Sequence, residues 1–300
     1  MLKNARFQHY RCFRDARIEF GPLTVLFGPN GCGKSSLMRA LNPRRHLSTQ
    51  DAWQRRSEVE PTTWVRYSKS ELLRRPGMDG NGGYTAQEVH FDLNALRGAN
   101  VLQPANQLDE VGGNLTNVFA SLTRSEQGAL AKQLSELIPA FGDVDARPVS
   151  EGSHQLWFQD RWNSETWYAP HDVSDGTMLV LAFLILQYQT SKVDVLLVEE
   201  PERGLHPYML GVLVQFLRKL ARGEIGRRVI QVVMATHSAD LLDHLEPSEA
   251  RFLERDTADG SVRIETVPSE RPGWQETYRA YDESLGAIWK SGGLGGVPGR

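Results

Sequence analysis

One segment of the sequence has the residue types and spacing of a phosphate-binding loop. Gly28-Pro-Asn-Gly-Cys-Gly-Lys34-Ser35 fits the pattern G-x-x-x-x-G-K-[ST] in full. Its glycines let several backbone N–H groups point at one oxyanion, and the helix that follows adds positive charge at its amino end. We expect Lys34 to reach the β- and γ-phosphates and Ser35 to place its hydroxyl on Mg²⁺. The segment predicts a nucleoside triphosphate site formed by Asn30, Gly31, Cys32, Gly33, Lys34, Ser35 and Ser36.

A second segment ends an apolar run with carboxylates. Val195-Leu-Leu-Val-Glu199-Glu200-Pro201-Glu202 predicts a buried strand whose last side chains reach the ligand-binding edge of an α/β sheet. Glu199 would hold Mg²⁺, and Glu200 would orient and deprotonate the attacking water. Adjacent carboxylates repel each other without a cation, which favours a metal nearby. The alternative is a solvated strand end before a proline turn, and the phosphate loop in the same chain argues against it.

A third polar group follows another apolar run. The segment from Val229 to Ala235 leads into Thr236-His237-Ser238. His237 lies 37 residues after Glu200 with one helix predicted between them, which is the spacing of two strands in one sheet. An imidazole there would donate a hydrogen bond to the γ-phosphate or to the attacking water. A lone histidine at a strand end is more often structural, and only this spacing favours a functional role.

The fourth segment, Ser174-Asp175-Gly176-Thr177, begins a strongly apolar helix. Serine or aspartate at this place is ordinary N-cap chemistry. A small residue, a hydroxyl and a positive helix end are also what a second phosphate site needs. Hydrophobic periodicity does not separate these two interpretations.

The elements that position these residues follow from the hydrophobic pattern. Near-continuous apolar runs predict strands that are buried on both faces of a parallel sheet, at 23–27, 193–198 and 229–235. Helices are predicted after Gly33, from Ser174 and over 207–222. Elsewhere the pattern predicts a strand at 88–93, helical spacing over 115–138 and a hairpin over 155–168 with Asn163-Ser164 at its turn. The aromatic residues of this hairpin, Trp157, Phe158, Trp162 and Trp167, are predicted to pack across it.

Composition bounds the class of protein. The 300 residues carry a formal net charge of −3, with 40% apolar and 24% charged residues, which excludes a disordered or fibrous chain. Cys12 and Cys32 are the two cysteines, too few for a disulfide framework, and a reducing cytoplasm fits them best. The opening residues lack a signal peptide core, and the longest apolar run, Met178 to Leu186, is about half a membrane span. We therefore expect a cytoplasmic protein without a membrane partner.

Residues 39–75 differ from this average. They contain nine Lys and Arg residues against four acidic residues, interleaved with Trp53, Trp64 and Tyr67. Basic residues among aromatics are what a surface that follows a nucleic-acid backbone needs, so DNA is one partner that the sequence suggests. A solvated face balanced by acidic residues elsewhere is the alternative.

The order of the segments resembles the ABC-type ATPase head. The phosphate loop is followed by VSDGT, LLVEEPE, RGLHP and THS, and Ser174 lies 25 residues before Glu199. Within that class the chain is similar to the RecF/OLD/SMC branch. SDGT replaces the LSGGQ of transporters, EEPERGLHP is similar to the OLD-like form, and FQHYRCFRDARIEF resembles the first strands of RecF-like heads. The resemblance covers residues 1–41 and 172–240.

The resemblance implies an α/β P-loop NTPase fold with a mixed sheet, a β-rich N-terminal lobe and a helical subdomain at about 100–150. It also implies that two heads enclose two molecules of ATP, each with Mg²⁺. Ser174, Asp175 and Gly176, the signature segment, would contact the γ-phosphate that Lys34 of the other copy holds. Glu200 and His237 would complete hydrolysis across this homodimer interface, and hydrolysis would separate the heads.

The sequence departs from the family pattern at several places. Glu199 stands where many relatives have aspartate, residues 42–171 leave no room for SMC arms, and about 60 residues after His237 are too few for a Toprim nuclease domain. The glutamine of the family's Q-loop cannot be placed among Gln87, Gln103 and Gln107. We expect a separate effector, such as a Toprim-type nuclease, on the ground of analogy alone.

These observations predict a single ATPase domain over residues 1–300. Its nucleotide-binding core is expected at 1–41 and 172–240, an inserted subdomain at 42–171 and a C-terminal extension at 241–300. The main hypothesis is a Mg·ATP-dependent ATPase that dimerises on ATP and acts in DNA repair or anti-phage defence. The alternatives are the ATPase subunit of an ABC transporter and a nucleotide-gated binding module with little turnover.

Overall fold

The computed structural model describes residues 1–56, 58–68, 70–78, 83–150 and 152–294. The strands of these residues are β1 (Leu2–Tyr10), β2 (Phe13–Glu19), β3 (Leu23–Phe27), β4 (Thr62–Tyr67), β5 (Ser70–Arg74), β6 (Ala86–Val89), β7 (Asn100–Val101), β8 (Phe141–Ser150), β9 (Ser153–Asp160), β10 (Trp167–Tyr168), β11 (Val195–Glu199), β12 (Gln231–Thr236), β13 (Ala250–Arg255) and β14 (Val262–Thr266).

The α-helices of the described residues range from one turn to more than four. They are α1 (Lys34–Leu41), α2 (Leu93–Leu96), α3 (Leu115–Ala120), α4 (Arg124–Leu137), α5 (Asp175–Ile185), α6 (Pro207–Arg222), α7 (Ala239–Leu242), α8 (Trp274–Ala280) and α9 (Leu285–Lys290).

A six-stranded sheet with the order β14-β13-β3-β12-β11-β6 positions the predicted site. Its five strands from β13 to β6 are parallel, and β14 joins β13 antiparallel. Every residue of β3 and β12 is buried, because both faces of the sheet are covered. Since parallel strands share one carboxyl edge, the residues that follow these strands lie along one line.

The two faces of this sheet belong to two separate apolar cores. Val25 and Phe27 of β3 pack on one side with α5, α6 and the helices α3 and α4. Leu26 points to the opposite side, where Leu37 and Met38 of α1 meet the strands β1 and β2. The alternation along β3 therefore joins both cores through five consecutive buried residues.

Two antiparallel sheets flank the central one. The first has the order β2-β1-β4-β5 and forms the β-rich lobe next to the phosphate loop. The second is built around β9, which pairs with β8 along its length and with β7 and β10 at its two ends. This architecture is the mixed α/β fold with a β-rich N-terminal lobe that the sequence predicts.

The structure confirms the predicted strands and helices of the core with small shifts. Helix α6 spans the predicted 207–222, and α5 begins directly after Ser174. The helical spacing over 115–138 corresponds to two helices, because Thr123 and Glu126 form a capping box that starts α4. The hairpin turn at Asn163 is also present, with Thr166 N–H donating to its carbonyl at 3.0 Å.

Three expectations are wrong in detail. The strand predicted at 88–93 ends at Val89, because the Asp92 carboxylate caps α2 instead. The subdomain at 100–150 is only partly helical, since β8 occupies residues 141–150. Trp162 is 78% exposed and does not pack in its hairpin, whereas Phe158 is fully buried.

The central sheet draws on all three ranges of the predicted domain division. β6 comes from the range 42–171, and β13 and β14 come from the range 241–300. The domain boundaries stay a prediction. The inserted range 42–171 and the C-terminal range 241–300 both contribute strands to the core sheet. No helix within the described ranges combines the length and apolar character needed to cross a membrane.

Candidate functional site

The carboxyl edge of the central sheet gathers the polar residues that the sequence singles out. β3 leads into the phosphate loop, β11 ends at Glu199 and Glu200 follows it, and β12 ends at Thr236 directly before His237. These three strands are neighbours in the sheet, with Glu199 opposite Ala235 and Thr236 opposite Phe27. The topology therefore brings together residues from distant parts of the chain.

The phosphate loop has the backbone conformation that only glycine allows without strain. Gly33 has φ of 98° and precedes α1, and a Cβ there would lie 2.5 Å from the Cys12 sulfur. A Cβ at Gly28 would lie 2.5 Å from the carbonyl oxygen of Leu253 in β13. The loop is thus packed closely against its neighbours on two sides, which fixes its curvature.

Lys34 folds back over this loop. Its ammonium group donates to the carbonyl oxygens of Gly28 at 2.7 Å and Pro29 at 3.0 Å. The Cys32 sulfur lies 3.8 Å from the same nitrogen. Lys34 is 8% exposed and Cys32 is 1% exposed, so the positive charge of Lys34 is buried within the loop. Phosphate oxygens that enter the loop would meet this ammonium group.

Ser35 and Glu199 meet where the phosphate loop faces β11. The Ser35 hydroxyl donates to Oε2 of Glu199 at 3.2 Å. Burial raises the pKa of Glu199, while the hydrogen bond from Ser35 lowers it, and the net direction is upward. A hydroxyl oxygen and a carboxylate oxygen in contact are the hard oxygen ligands that Mg²⁺ prefers. The residues present therefore fit the metal that the fold implies.

Glu200 is held in an uncommon backbone conformation directly after β11. Its φ is 46°, in the left-handed region, which is sparsely populated by residues with a Cβ. The N–H of Glu200 donates to the carbonyl of Ala235 in β12 at 2.8 Å. This bond extends the pairing of β11 with β12 to the residue that follows β11. Oε1 of Glu200 lies 3.5 Å from Nδ1 of His237, so the two predicted catalytic residues are neighbours.

Glu202 joins this pair, although the sequence pattern predicts no role for it. Its Oε1 accepts a hydrogen bond from the Thr236 hydroxyl at 2.6 Å and from the His237 N–H at 3.4 Å. The same oxygen lies 3.7 Å from His237 Nδ1, and the Glu202 side chain is 10% exposed. Glu202 therefore ties the turn after β11 to the end of β12. The sequence signal that could have indicated this role is that Glu202 is the third acidic residue of the EEPE segment.

A cleft of about 680 Å³ opens in front of the phosphate loop. Most of the loop residues line it together with Glu200 and with residues that the sequence did not assign to the nucleotide site, among them Arg11, Arg39, Asp51, Trp53, Arg55, Arg255 and Asp259. Arg255 at the end of β13 donates from Nε at 3.0 Å and Nη2 at 2.7 Å to the Gly31 carbonyl. Arg11 donates from Nε to Asp51 at 2.8 Å. The residues that line the cleft thus include several arginines.

The predicted signature segment lies outside this cleft. Ser174 caps α5, where its Oγ accepts from Thr177 N–H at 3.2 Å and contacts the Thr177 hydroxyl at 2.9 Å. Ser174 and Asp175 are exposed, and a Cβ on Gly176 would lie 3.7 Å from the carbonyl of Gly204 in the turn after β11. The N-cap interpretation is therefore confirmed. The same helix end is open to solvent and is not among the residues that line the cleft of its own chain.

None of the three candidates for the Q-loop glutamine is among the residues that line the cleft. Gln87 is buried in β6, where it exchanges amide hydrogen bonds with Gln189 at 3.0 and 2.9 Å. Gln103 and Gln107 lie in the segment between β7 and α3. The residue that follows β6 is His90, and it lines a small crevice with Glu199 and Glu200.

The basic stretch is less exposed than its composition suggests. Arg74 is 2% exposed and donates to the carbonyl of Ala40 at 2.8 Å, so it supports the end of α1. The expectation that it belongs to an exposed basic surface is wrong. Trp53 is 8% exposed, with the Arg56 guanidinium 5.1 Å from its ring centroid. Arg55, Arg56 and Arg75 are exposed. Lys69 lies outside the described residues.

Two protein families match parts of this chain. A family described as "AAA domain, putative AbiEii toxin, Type IV TA system" matches residues 90–243, just over half of the chain. A second family, described as "AAA domain", matches residues 6–42, which contain the phosphate loop. The first match also covers the acidic strand end, the signature segment and His237.

Among curated proteins, an OLD nuclease of Thermus scotoductus is 28% identical over 155 residues. The match covers 46% of this chain and 29% of the nuclease, so the chain spans less than a third of that relative.

Solved SMC heads share the fold. They include a Smc head bound to the C-winged helix domain of ScpA, with a TM-score of 0.62 at 11% identity over 88% of this chain and 97% of that one. The SMC head domain from Thermotoga maritima has a TM-score of 0.54 at 14% identity over 89% and 98%. A Smc head domain in a complex derived from Pyrococcus furiosus has a TM-score of 0.56 at 12% identity over 94% and 98%. The chain belongs to the AAA-domain family that matches residues 90–243, and it is similar in sequence and fold to heads of the RecF/OLD/SMC-like branch.

Proposed function

We propose that this chain binds Mg·ATP in the cleft and hydrolyses it. The observation that carries the proposal is the contact of Ser35 with Glu199 at 3.2 Å, beside a buried Lys34 and a Glu200 that lines the same cleft. A phosphate cradle, a pair of metal ligands and a carboxylate base are the parts that phosphoryl transfer to water requires. Here they come from the phosphate loop and the neighbouring strand end.

Each residue has a separate task in the proposal. Lys34 exchanges the loop carbonyls for β- and γ-phosphate oxygens, which gives it hydrogen bonds to charged acceptors in place of neutral ones. Ser35 and Glu199 hold Mg²⁺, which when bound neutralises phosphate charge. Glu200 orients the attacking water and accepts its proton, and His237 donates to the γ-phosphate or the water from its place beside Glu200. The backbone N–H groups of Asn30, Gly31, Cys32, Gly33 and Ser36 surround the phosphates.

We further propose that two copies enclose ATP between them. Ser174, Asp175 and Gly176 of one copy would contact the γ-phosphate that Lys34 of the other copy holds. Two facts support this arrangement: the amino end of α5 is exposed, and it is not among the residues that line its own chain's cleft. A helix amino end carries unpaired N–H groups and partial positive charge, which suit a phosphate. ATP would therefore act as a timed clamp between the heads.

For the biological role we propose DNA repair or anti-phage defence together with a separate effector protein. The support is the similarity to an OLD nuclease and to a Smc head bound to the C-winged helix domain of ScpA. The first relative suggests a nuclease as the effector class, and the second suggests that a head of this fold works with a protein partner.

Steady-state turnover with and without Glu200 tests the enzymatic part. We expect the unmodified chain to release phosphate from Mg·ATP. We expect Glu200→Gln to keep nucleotide affinity, measured with a fluorescent ATP analogue, and to lose turnover by at least about 100-fold, as general-base catalysis contributes. A matched control is Glu224→Gln, an exposed glutamate after α6.

Two outcomes would contradict the proposal, the first for the role of Glu200 and the second for hydrolysis itself. Equal turnover of the unmodified chain and Glu200→Gln would remove Glu200 from catalysis. Tight ATP binding without turnover in any condition, including added DNA and candidate effectors, would establish a nucleotide-gated binding module in place of an ATPase.

A further inference from the structure

Arg97 follows α2 and is bonded to the segment that leads into the signature helix. Its side chain is 12% exposed. Its guanidinium donates to the carbonyl oxygens of Pro170 at 2.9 Å and Val173 at 3.1 Å and to Oδ1 of Asp175 at 2.7 Å. These three acceptors lie close together in the chain, and the last of them is in the first turn of α5. One side chain therefore contacts the segment before this helix and its first turn at three points.

The backbone around Arg97 is anchored on the other side. Its carbonyl accepts a hydrogen bond from the Gln155 side chain of β9 at 3.0 Å. Phe91, in the same segment, packs edge-on against Phe183 of α5 with 5.1 Å between ring centroids. The segment 90–97 starts at the carboxyl end of β6, the strand that pairs with β11. Arg97 thus connects the edge of the nucleotide site, the β9 sheet and the amino end of α5.

We propose that Arg97 is a positioning residue that holds the amino end of α5 ready to contact the nucleotide bound by a second copy. The inference rests on the proposed function and adds to it the residue that prepares the contact. Residues 170–174 have no helix or strand of their own, so their ordering during dimerisation would cost conformational entropy. The three hydrogen bonds of Arg97 contribute to this ordering before the copies meet, beside the bond from Asp172 N–H to the Ala169 carbonyl.

The charge of Arg97 has a second consequence. The Asp175 carboxylate is 52% exposed at the helix end that would meet a triphosphate, and like charges repel. The guanidinium of Arg97 offsets this carboxylate at 2.7 Å. A lysine would keep the charge but could not reach three acceptors in the planar fork geometry of arginine. We therefore expect Arg97→Lys to keep the positive charge beside Asp175 but to lose some of the three hydrogen bonds that position the segment before α5.

The first experiment measures the positioning in the chain without nucleotide. Amide hydrogen exchange over residues 171–178 is compared among the unmodified chain, Arg97→Ala, Arg97→Lys and Arg222→Ala. Arg222 is the matched control, because it forms an exposed ion pair with Glu246 in the last turn of α6. We expect about tenfold faster exchange in Arg97→Ala, an intermediate rate in Arg97→Lys and no change in Arg222→Ala. Equal exchange in all four proteins would overturn the inference.

The second experiment measures the consequence in the Glu200→Gln background with saturating Mg·ATP. We expect Arg97→Ala to bind a fluorescent ATP analogue within about twofold of its parent and to dimerise at least about tenfold more weakly by sedimentation velocity. Arg97→Lys, which conserves charge and most of the packing, carries the test if the alanine variant does not fold. If Arg97→Ala and Arg97→Lys dimerise as tightly as the parent, the inference about Arg97 is overturned and the proposed dimer stands. A parent that stays monomeric with ATP refutes the proposed dimer, and the inference falls with it.

Discussion

At the scale of single residues, Lys34 connects the loop that the sequence predicts with the cleft that the structure contains. Its ammonium group is buried and bonded to two loop carbonyls. This placement needs no long-range information, because Gly33 and the start of α1 determine where the next side chain goes. The same is true of Ser35, and of Glu199 and Glu200 at the carboxyl end of β11. Local patterns therefore predict the positions of these residues from the sequence.

We predict that Lys34→Ala weakens ATP binding by about 100-fold, since charge-assisted hydrogen bonds to phosphate contribute about 3 kcal/mol together. Isothermal titration with a non-hydrolysed ATP analogue measures the affinity. Lys192→Ala, which removes a lysine whose side chain is 67% exposed, should leave it unchanged. An affinity within a few-fold of the unmodified chain in both variants would show that the loop does not hold the triphosphate.

The two cysteines provide a pH-dependent test of the loop. Burial raises the pKa of the Cys12 and Cys32 thiols above the ordinary cysteine value. Only the thiolate is alkylated, so a raised pKa means less reactive thiolate at any given pH. We predict that both thiols of the folded chain react with iodoacetamide at about pH 8 more slowly than in the chain unfolded by urea, and that the rate rises further above about pH 9. Mass spectrometry of the labelled peptides would contradict this if either thiol reacted equally fast in both states.

Other residues of the site were beyond the reach of sequence patterns. Arg255, Arg97 and Arg11 are ordinary charged residues in the sequence, and only the strand order places them against Gly31, Asp175 and the cleft. Arg74 shows the reverse error. Its position in a basic stretch suggests a surface, while its hydrogen bonds to the end of α1 bury it.

At the scale of elements, α6 is fixed to the segment before β13 by a buried ion pair. Arg218 donates to Glu249 from Nε at 2.8 Å and from Nη2 at 2.7 Å, and both side chains are 8% exposed. The contact holds the sheet strand next to β3 against a helix of the adjacent layer. Since β13 supplies Arg255, this pair also supports one wall of the cleft.

We predict that Glu249→Gln lowers the free energy of unfolding by about 3 kcal/mol, because it leaves a buried guanidinium without its charge partner. Urea denaturation followed by circular dichroism measures the change. The exposed pair of Arg222 and Glu246 provides the comparison, and Arg222→Ala should cost less than about 1 kcal/mol. Similar losses in the two variants would mean that burial does not set the strength of these pairs.

The strands and helices themselves were predictable wherever one pattern dominated. The apolar runs of β3, β11 and β12 and the length of α6 follow from periodicity. β6 was misplaced because Asp92 starts a helix within an alternating pattern, and β8 was missed because a strand with Asp143, Asp145 and Arg147 has no apolar run to mark it. Competing local chemistry and the polar character of β8 explain both errors in physical terms.

At the scale of the whole molecule, the order of strands is the feature that the sequence could not supply. Among the strands of the described residues β13 is the last but one along the chain, yet it lies next to β3, and β6 forms the opposite edge of the same sheet. These pairings depend on contacts between residues that are far apart in the chain. The resemblance of the four segments to ATPase heads indicated the fold class, but the makeup of the cleft wall follows only from the three-dimensional structure.

Binding of DNA is a prediction at this scale, because it depends on the combined charge of several exposed arginines. Arg55 also lines the cleft, so DNA binding is measured without nucleotide. We expect Arg55→Glu, Arg56→Glu and Arg75→Glu together to weaken DNA binding and to reduce the slope of log affinity against log salt by about 3, since each phosphate left without its arginine keeps about one counterion. Fluorescence anisotropy over a range of salt concentrations measures both effects. Arg222→Glu is the control. Unchanged affinity in the triple variant would show that these three arginines do not bind DNA. Arg74 is excluded from the set because it is buried.

Two copies sharing each nucleotide is the central claim, and sedimentation of the Glu200→Gln variant tests it most directly. We predict a monomer with Mg·ADP, a dimer with Mg·ATP, and a monomer again when Ser174→Arg is added although the fluorescent ATP analogue still binds. A monomer of Glu200→Gln at saturating Mg·ATP, or an ATP-dependent dimer that Ser174→Arg does not disturb, would contradict it.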